Sequence, residues 1–218
     1  MQRILEPEVM DTEEEAVAYD RMDHSEPNSA FVARLVELGA NGRMLDVGTG
    51  PGHVPLLVCE VLEEAHVTGI DLSRNMLQLA ERKRTASPHA ERIVFQSADA
   101  KGLDFEDGSF DVVFSNTILH HIPDPRSLLR EARRVLRPGG VLLIRDLMRP
   151  ADEERVAELV RLHAQDAEPD QRELFRASLC AALTPDELRA QANECGLEEA
   201  AVVIDSDRHL SLQIAARP

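Results

Sequence analysis

The sequence predicts an α/β fold, a parallel sheet covered by helices on both faces, and three observations carry that prediction. Short apolar runs alternate with helical stretches from Met44 to Ile144, the rhythm of βαβ units. Within Arg43 to Gly52 (Arg-Met-Leu-Asp-Val-Gly-Thr-Gly-Pro-Gly), one such run passes through three alternating glycines into a helix. Phe110 to Ser115 is almost wholly apolar, as strands buried on both faces are.

The 218 residues are read as one domain with enough chain to bury a real core. A formal charge of -16 argues against a sequence-independent grip on nucleic acid or an anionic membrane, since both need basic surface. Cys59, Cys180 and Cys195 are isolated, without metal spacing, as expected in a reducing compartment. The acidic N-terminus shows no signal-peptide pattern, and no apolar run approaches the ~20 residues that span a bilayer. The expected setting is cytoplasmic.

Taken in order, Thr12 to Asp20 has a helix signature, with Thr12 as cap and Glu15 at the capping-box position. Phe31, Leu35 and Leu38 put one apolar face on a helix over Ala30 to Leu38, stopped by Gly39 and Gly42. Met44 to Val47 is the first strand, and His53 to Ala65 the helix after its glycine turn. His66 to Ile70 is the second strand. Ser73 caps a helix from Arg74 to Thr85. Ile93 to Gln96 and Phe110 to Ser115 are the third and fourth strands. A basic amphipathic helix, Pro125 to Leu136, closes in the turn Pro138-Gly139-Gly140, and Val141 to Ile144 is the fifth strand. The rhythm then breaks. Ala151 to Ala182 is helical and charged. Thr184-Pro185-Asp186-Glu187 starts a helix with Thr at the cap, Pro at N1 and Glu at N3, and Gly196 ends it. Glu199 to Ile204 and Leu210 to Ala215 alternate as strands, so the sheet closes in a hairpin.

The glycine turn puts backbone N–H groups and the positive end of a helix dipole beside an open crevice, the setting for a nucleotide-like ligand. The dinucleotide fingerprint requires glycine where His53 stands, so that fit is poor. Asp71 ends the second strand, where a carboxylate accepts both hydroxyls of a ribose. Asp99 follows the third strand, where it can meet an adenine amino group. The competing reading makes both aspartates loop residues that satisfy backbone donors.

With the fourth strand and its exit, Phe110 through Asp124, the sequence resembles the class I S-adenosylmethionine-dependent methyltransferases of small-molecule type. The matches are Leu-Asp-Val-Gly-Thr-Gly-Pro-Gly (45–52), Gly-Ile-Asp-Leu-Ser (69–73), Ala-Asp-Ala (98–100), Phe-Asp-Val-Val through His-His-Ile (110–122) and Leu-Arg-Pro-Gly-Gly (136–140). They stand in the family's order and spacing. The resemblance implies a Rossmann-like, doubly wound, mostly parallel seven-stranded sheet with the last strand antiparallel. It divides the chain into an N-terminal helical arm (1–30), a cofactor core (43–146), a helical insertion (147–183) and a closing helix and hairpin (184–218). The implied cofactor is S-adenosylmethionine, with S-adenosylhomocysteine as product. By that likeness Gly48, Thr49, Gly50 and Gly52 line the methionine part, and Asp46 orders the loop or meets the amino group. Asp71 holds the ribose, Leu72 and Met76 flank adenine, and Asp99 with Ala100 reads its edge. Ser115 or Asn116 passes under the methionine, and Tyr19 with Asp20 helps close the arm over the cofactor.

Methyl transfer depends mainly on alignment, and a general base matters only for a protic acceptor. Candidate bases are His120, His121, Asp146 and His24. The adjacent histidines lack a third ligand at metal spacing, so no metal is expected. Arg145, Arg149, Arg172 and Arg176, with Arg208-His209, are either substrate contacts or partners for local carboxylates. The expected activity is methylation of a small molecule. Alternatives are RNA or protein methylation, a non-catalytic cofactor-binding module and a nicotinamide-dependent reductase. The arm and the insertion could equally serve a homodimer.

Overall fold

The computed structural model describes residues 1–6, 12–22 and 25–217; His24 lies outside them, as does the side chain of Glu15. Seven strands form one sheet in the order β3-β2-β1-β4-β5-β7-β6. They are β1 (Arg43–Val47), β2 (His66–Asp71), β3 (Ile93–Ser97), β4 (Phe110–Asn116), β5 (Leu136–Leu147), β6 (Ala201–Ile204) and β7 (His209–Ile214). The first five pair in parallel, and β7 runs antiparallel to both β5 and β6. The helices are α1 (Glu13–Asp20), α2 (Ser25–Glu37), α3 (His53–Val61), α4 (Arg74–Ala86), α5 (Arg126–Val135), α6 (Glu153–His163), α7 (Pro169–Ala181) and α8 (Pro185–Glu194).

Alternation along the strands fills two cores. On one face Leu45, Val47, Val113, Leu142 and Ile144 meet Leu128, Leu129 and Ala132 of α5 and Leu188 of α8. On the other, Met44, Val112, Phe114 and Leu143 meet Phe31 and Leu35 of α2 and Val58 of α3. Burial on both faces is why these strands read as continuous apolar runs. A third cluster joins Val156 and Leu159 of α6 to Leu179 of α7 and to Leu147, at the carboxyl end of β5.

Several boundaries differ from the sequence reading. Helix α2 starts at Ser25, five residues before Ala30, because Pro27 is tolerated in a first turn that needs no internal N–H partner. Helix α3 stops at Val61, where the Leu62 N–H closes on the Val58 carbonyl and the chain turns towards β2. Pro138-Gly139-Gly140 is not a free turn. It lies inside β5, at a bulge where the register against β4 shifts between Phe110 and Val112. The start of α8 is as the sequence reads: the Thr184 hydroxyl accepts from Glu187 N, and the Glu187 carboxylate accepts from Thr184 N.

The strand order reverses between β2 and β4, which flank β1. Ligands of open α/β sheets bind outside the carboxyl ends of strands at such a point.

Candidate active site

The carboxyl end of β1 carries Asp46, 2% exposed, whose Oδ2 accepts from the Thr49 hydroxyl at 2.7 Å. Burial pushes its carboxyl up to about 7; the Thr49 hydrogen bond opposes the rise and the charge of Asp71 adds to it. Gly50 then turns with φ 53°, and a Cβ there would meet nothing within 4 Å, so its bare backbone faces open space. Gly52 serves differently. With φ 79°, a Cβ would lie 2.8 Å from Phe95 and 3.0 Å from Ala80. Gly52 therefore lets α4 and β3 pack against the turn and does not line the cleft, contrary to its assignment to the methionine part.

Asp71 ends β2 and locks the loop: Oδ2 accepts from Gly50 N and Oδ1 from Ser73 N, both at 2.8 Å. It satisfies backbone donors, as one sequence reading has it, and it also lines the cleft. Burial raises its pKa, against the backbone N–H groups that lower it. The cleft encloses about 120 Å³. Its walls include Gly48, Leu72, Met76, Asp99, Ala100, Asn116 and Tyr19. Leu72 is 41% exposed, an apolar surface at the mouth. A smaller recess beside the cleft reaches Asp46, Thr49 and Asn28. A buried carboxylate at one end and a part-satisfied one in the middle fit a ligand with a cationic tail and a diol. Ser115 falls outside this arrangement. It is fully buried and its hydroxyl donates to the Val47 carbonyl at 2.7 Å, because alternation along β4 turns Asn116 to the cleft and Ser115 into the sheet.

A larger cavity of about 820 Å³ adjoins, walled by α1, the start of α2, residues 163–178 and the β7 entry. Tyr19, Asn116, Thr117 and His121 line both spaces. Thr117 is the one non-glycine among the described residues with positive φ, 62°, a costly conformation for a β-branched side chain and a frequent mark of functional sites. Its side chain hydrogen-bonds Tyr19, whose pKa burial raises. No residue type in the sequence signalled this strain. Tyr19 is set by its neighbour. Asp20 takes an ion pair from Lys83 and one from His53 Nε2 at 2.9 Å, and Lys83 also reaches the Pro51 carbonyl at 3.2 Å. His53, which broke the glycine fingerprint, ties α1 to the turn.

The larger cavity has basic walls despite the acidic whole: Arg21, Arg145 and Arg208 against Asp166. Arg145 lies over the Phe31 ring at 4.9 Å and donates to Asn116 at 3.0 Å; burial lowers its pKa to about 10. Burial, then Arg145 and Arg208, lower His209 to about 4. Arg149 and Arg176 turn elsewhere, Arg149 to Glu187 and Arg176 to Glu153 and Glu173. Arg172 does not line the cavity.

The two histidines part company. His120 is buried; its Nδ1 meets Asp146 Oδ1 at 2.5 Å and its backbone N–H the other oxygen at 3.0 Å. Asp146 also accepts from Leu147 N at 2.5 Å. With both oxygens engaged, Asp146 is placed to orient His120. The fold also delivers Glu6, a residue the spacing could not associate with the pair. Its Oε1 lies 3.4 Å from His120 Nε2 and 3.2 Å from His121 Nδ1. Arg3 fixes this strand of chain by donating to the carbonyls of Leu119, His120, Ile122, Pro123 and Ala181.

A family model described as a methyltransferase domain matches residues 38–194. The chain is 35% identical over 170 residues to the 27-O-demethylrifamycin SV methyltransferase of Amycolatopsis mediterranei, covering 77% of this chain and 58% of that protein. It is 36% identical over 121 residues to the ubiquinone/menaquinone biosynthesis C-methyltransferase UbiE of Geotalea daltonii, covering 55% and 52%. The chain thus spans little more than half the length of these curated relatives. A crystal structure of a SAM-dependent methyltransferase from Aquifex aeolicus superposes with a TM-score of 0.67 at 18% identity, over 93% of this chain and 97% of that one, and so shares the fold. The match over most of the chain, on the fold just described, makes this protein a member of the methyltransferase domain family, whose methyl donor is S-adenosylmethionine.

Proposed function

We propose that the chain transfers a methyl group from S-adenosylmethionine, bound in the cleft, to a small molecule held in the larger cavity. The observation that carries this reading is the ring of Tyr19, Asn116, Thr117 and His121 shared by the two spaces. When bound, the donor supplies an already activated sulfonium methyl. The protein's part is alignment, which removes the entropy of bringing two molecules together. Asp46 would hold the ammonium of the donor, Asp71 its ribose, and Leu72, Met76, Asp99 and Ala100 its adenine. Asn116 and Tyr19 flank the passage to the acceptor. Proton removal from a protic acceptor falls to the corner of His120 and His121, with Asp146 as positioning residue. The arginines favour an acceptor carrying an acid group, since guanidinium pairs well with carboxylate or phosphate. The three buried, unpaired cysteines agree with a cytoplasmic setting. Among the described residues, no helix is long and apolar enough to cross a membrane.

The test has two arms. Calorimetric titration with S-adenosylmethionine should show one site, weakened about tenfold or more in Asp71→Asn, the cost expected from about 1.4 kcal/mol of lost hydrogen bonding. Incubation with methyl-labelled donor and a metabolite extract, sorted by charge, should label acidic small molecules. Absence of donor binding sinks the reading; binding without any label reduces the protein to a cofactor-binding module.

A further inference from the structure

We infer that Glu6, His120 and His121 form a binding site for a divalent transition-metal ion at the edge of the acceptor cavity. One carboxylate oxygen and two imidazole nitrogens lie within 4.8 Å of one another. Ligand atoms about 2.1 Å from a tetrahedral ion stand about 3.4 Å apart. Glu6 Oε1 is 3.2 Å from His121 Nδ1 and 3.4 Å from His120 Nε2, close to that spacing. As hydrogen bonds these contacts are long, since charge-assisted pairs close to about 2.7–2.9 Å. The same His120 ring closes more tightly on its other carboxylate, at 2.5 Å on Asp146.

The surroundings match those of a ligand set. Asp146 accepts from His120 Nδ1, which fixes the tautomer that leaves Nε2 as a donor atom for metal, the carboxylate–histidine–metal arrangement. Ser178 Oγ donates to both oxygens of Glu6, at 3.3 and 3.2 Å, and so orients the third ligand. Glu6 and Asp146 supply two negative charges against Arg3, whose guanidinium is engaged by backbone carbonyls. His120, His121 and Ser178 line the larger cavity, so further coordination positions open towards it. Two imidazoles with one carboxylate suit zinc, iron or cobalt better than magnesium or calcium. An ion there would accept a water or the acceptor's oxygen and ease loss of its proton. That role rests on the methyl-transfer reading and, with the ion bound, would replace direct proton transfer to His120 or His121; the binding of the ion rests on neither.

The experiment is titration of the full chain, first freed of metal with a chelator, with Co²⁺ alone. One equivalent should develop a visible ligand-field band, displaced by one equivalent of Zn²⁺. His121→Gln and Glu6→Gln should each weaken Co²⁺ binding at least about tenfold while keeping a cooperative, wild-type-like thermal melt, which reports their folding. If a variant fails to fold, X-ray absorption of the wild-type Co²⁺ complex decides, and must show two imidazole ligands. No saturable band, a band unchanged in both folded variants, or a spectrum without two imidazoles overturns the proposal. Metal binding without methyl transfer would sustain this site and defeat the other reading.

Discussion

Asp46→Asn offers the sharpest test of how the cleft is built. Burial above all pushes the Asp46 carboxyl up to about 7, from an ordinary value of 3.8. Between those values the folded protein keeps a proton that the unfolded chain has released, so stability falls as pH rises through that window. At about 1.4 kcal/mol per pH unit, the penalty above pH 7 reaches a ceiling of about 4 kcal/mol. Asparagine keeps an oxygen for the Thr49 hydroxyl and cannot ionise. In urea denaturation at pH 8 the variant should be the more stable protein by about 2–4 kcal/mol, and the gap should shrink below about 1 kcal/mol at pH 4. The same variant should bind S-adenosylmethionine at least about tenfold more weakly if, as proposed, the carboxylate that burdens the free protein is the partner of the ammonium. A wild type that equals or exceeds the variant at pH 8 would refute the reasoning, and with it the view that function is held there at a cost in stability.

Two further outcomes follow from the same geometry. Asp146→Asn should cost about 3 kcal/mol in urea denaturation, since it breaks a buried pair. Burial alone would lower the His120 imidazole, but Asp146 outweighs it and holds the pKa above 6.5; burial likewise raises Asp146, and His120 outweighs it to hold that pKa below 3.8. The histidine's share of stability is complete below pH 6.5 and fades as pH rises through its elevated value. The carboxylate's share is complete above pH 3.8 and fades as pH falls through its depressed one. The variant's deficit should therefore be greatest between them, and a pH-independent deficit would contradict the pairing. Gly52→Ala should destabilise by about 2–4 kcal/mol through contact with Phe95 and Ala80 plus left-handed strain, whereas Gly50→Ala should cost about 1–2 kcal/mol and chiefly weaken the donor. Thermal melts with and without S-adenosylmethionine separate the two, and equal melts would contradict the different roles given to these glycines.

How much of this was legible depends on the range of each interaction. The cap of α8 could be read because Thr184 and Glu187 stand three residues apart and satisfy each other. Asp71 could be read because it ends an apolar run after a glycine turn. Ser115 and Asn116 could not be told apart, since neighbours on a strand face opposite ways and only register decides which meets the cleft. The bulge at Gly139-Gly140 looked like a turn because the same residues serve both. His53 gave a negative signal, a missing glycine, while its positive role needed Asp20 from α1. Glu6 carried no signal at all: a carboxylate among the many of an acidic N-terminus becomes special only once Arg3 has docked the chain against residues 119–123. Thr117 is silent for another reason, since strain belongs to the backbone and leaves no mark in composition.

Apart from the residues they share, the two chambers draw most of their walls from different parts of the chain. The smaller cleft, the proposed donor side, is lined, Tyr19 aside, by strand ends and the segments that leave β1, β2, β3 and β4, set by the sheet. The other chamber takes most of its wall from α1, the segment 163–178 and residues 208–209. Lineages that kept the scaffold could therefore trade one recipient molecule for another by exchanging peripheral helices. A graft of residues 151–182 from a relative with a different recipient should carry that preference across while leaving affinity for the sulfonium untouched.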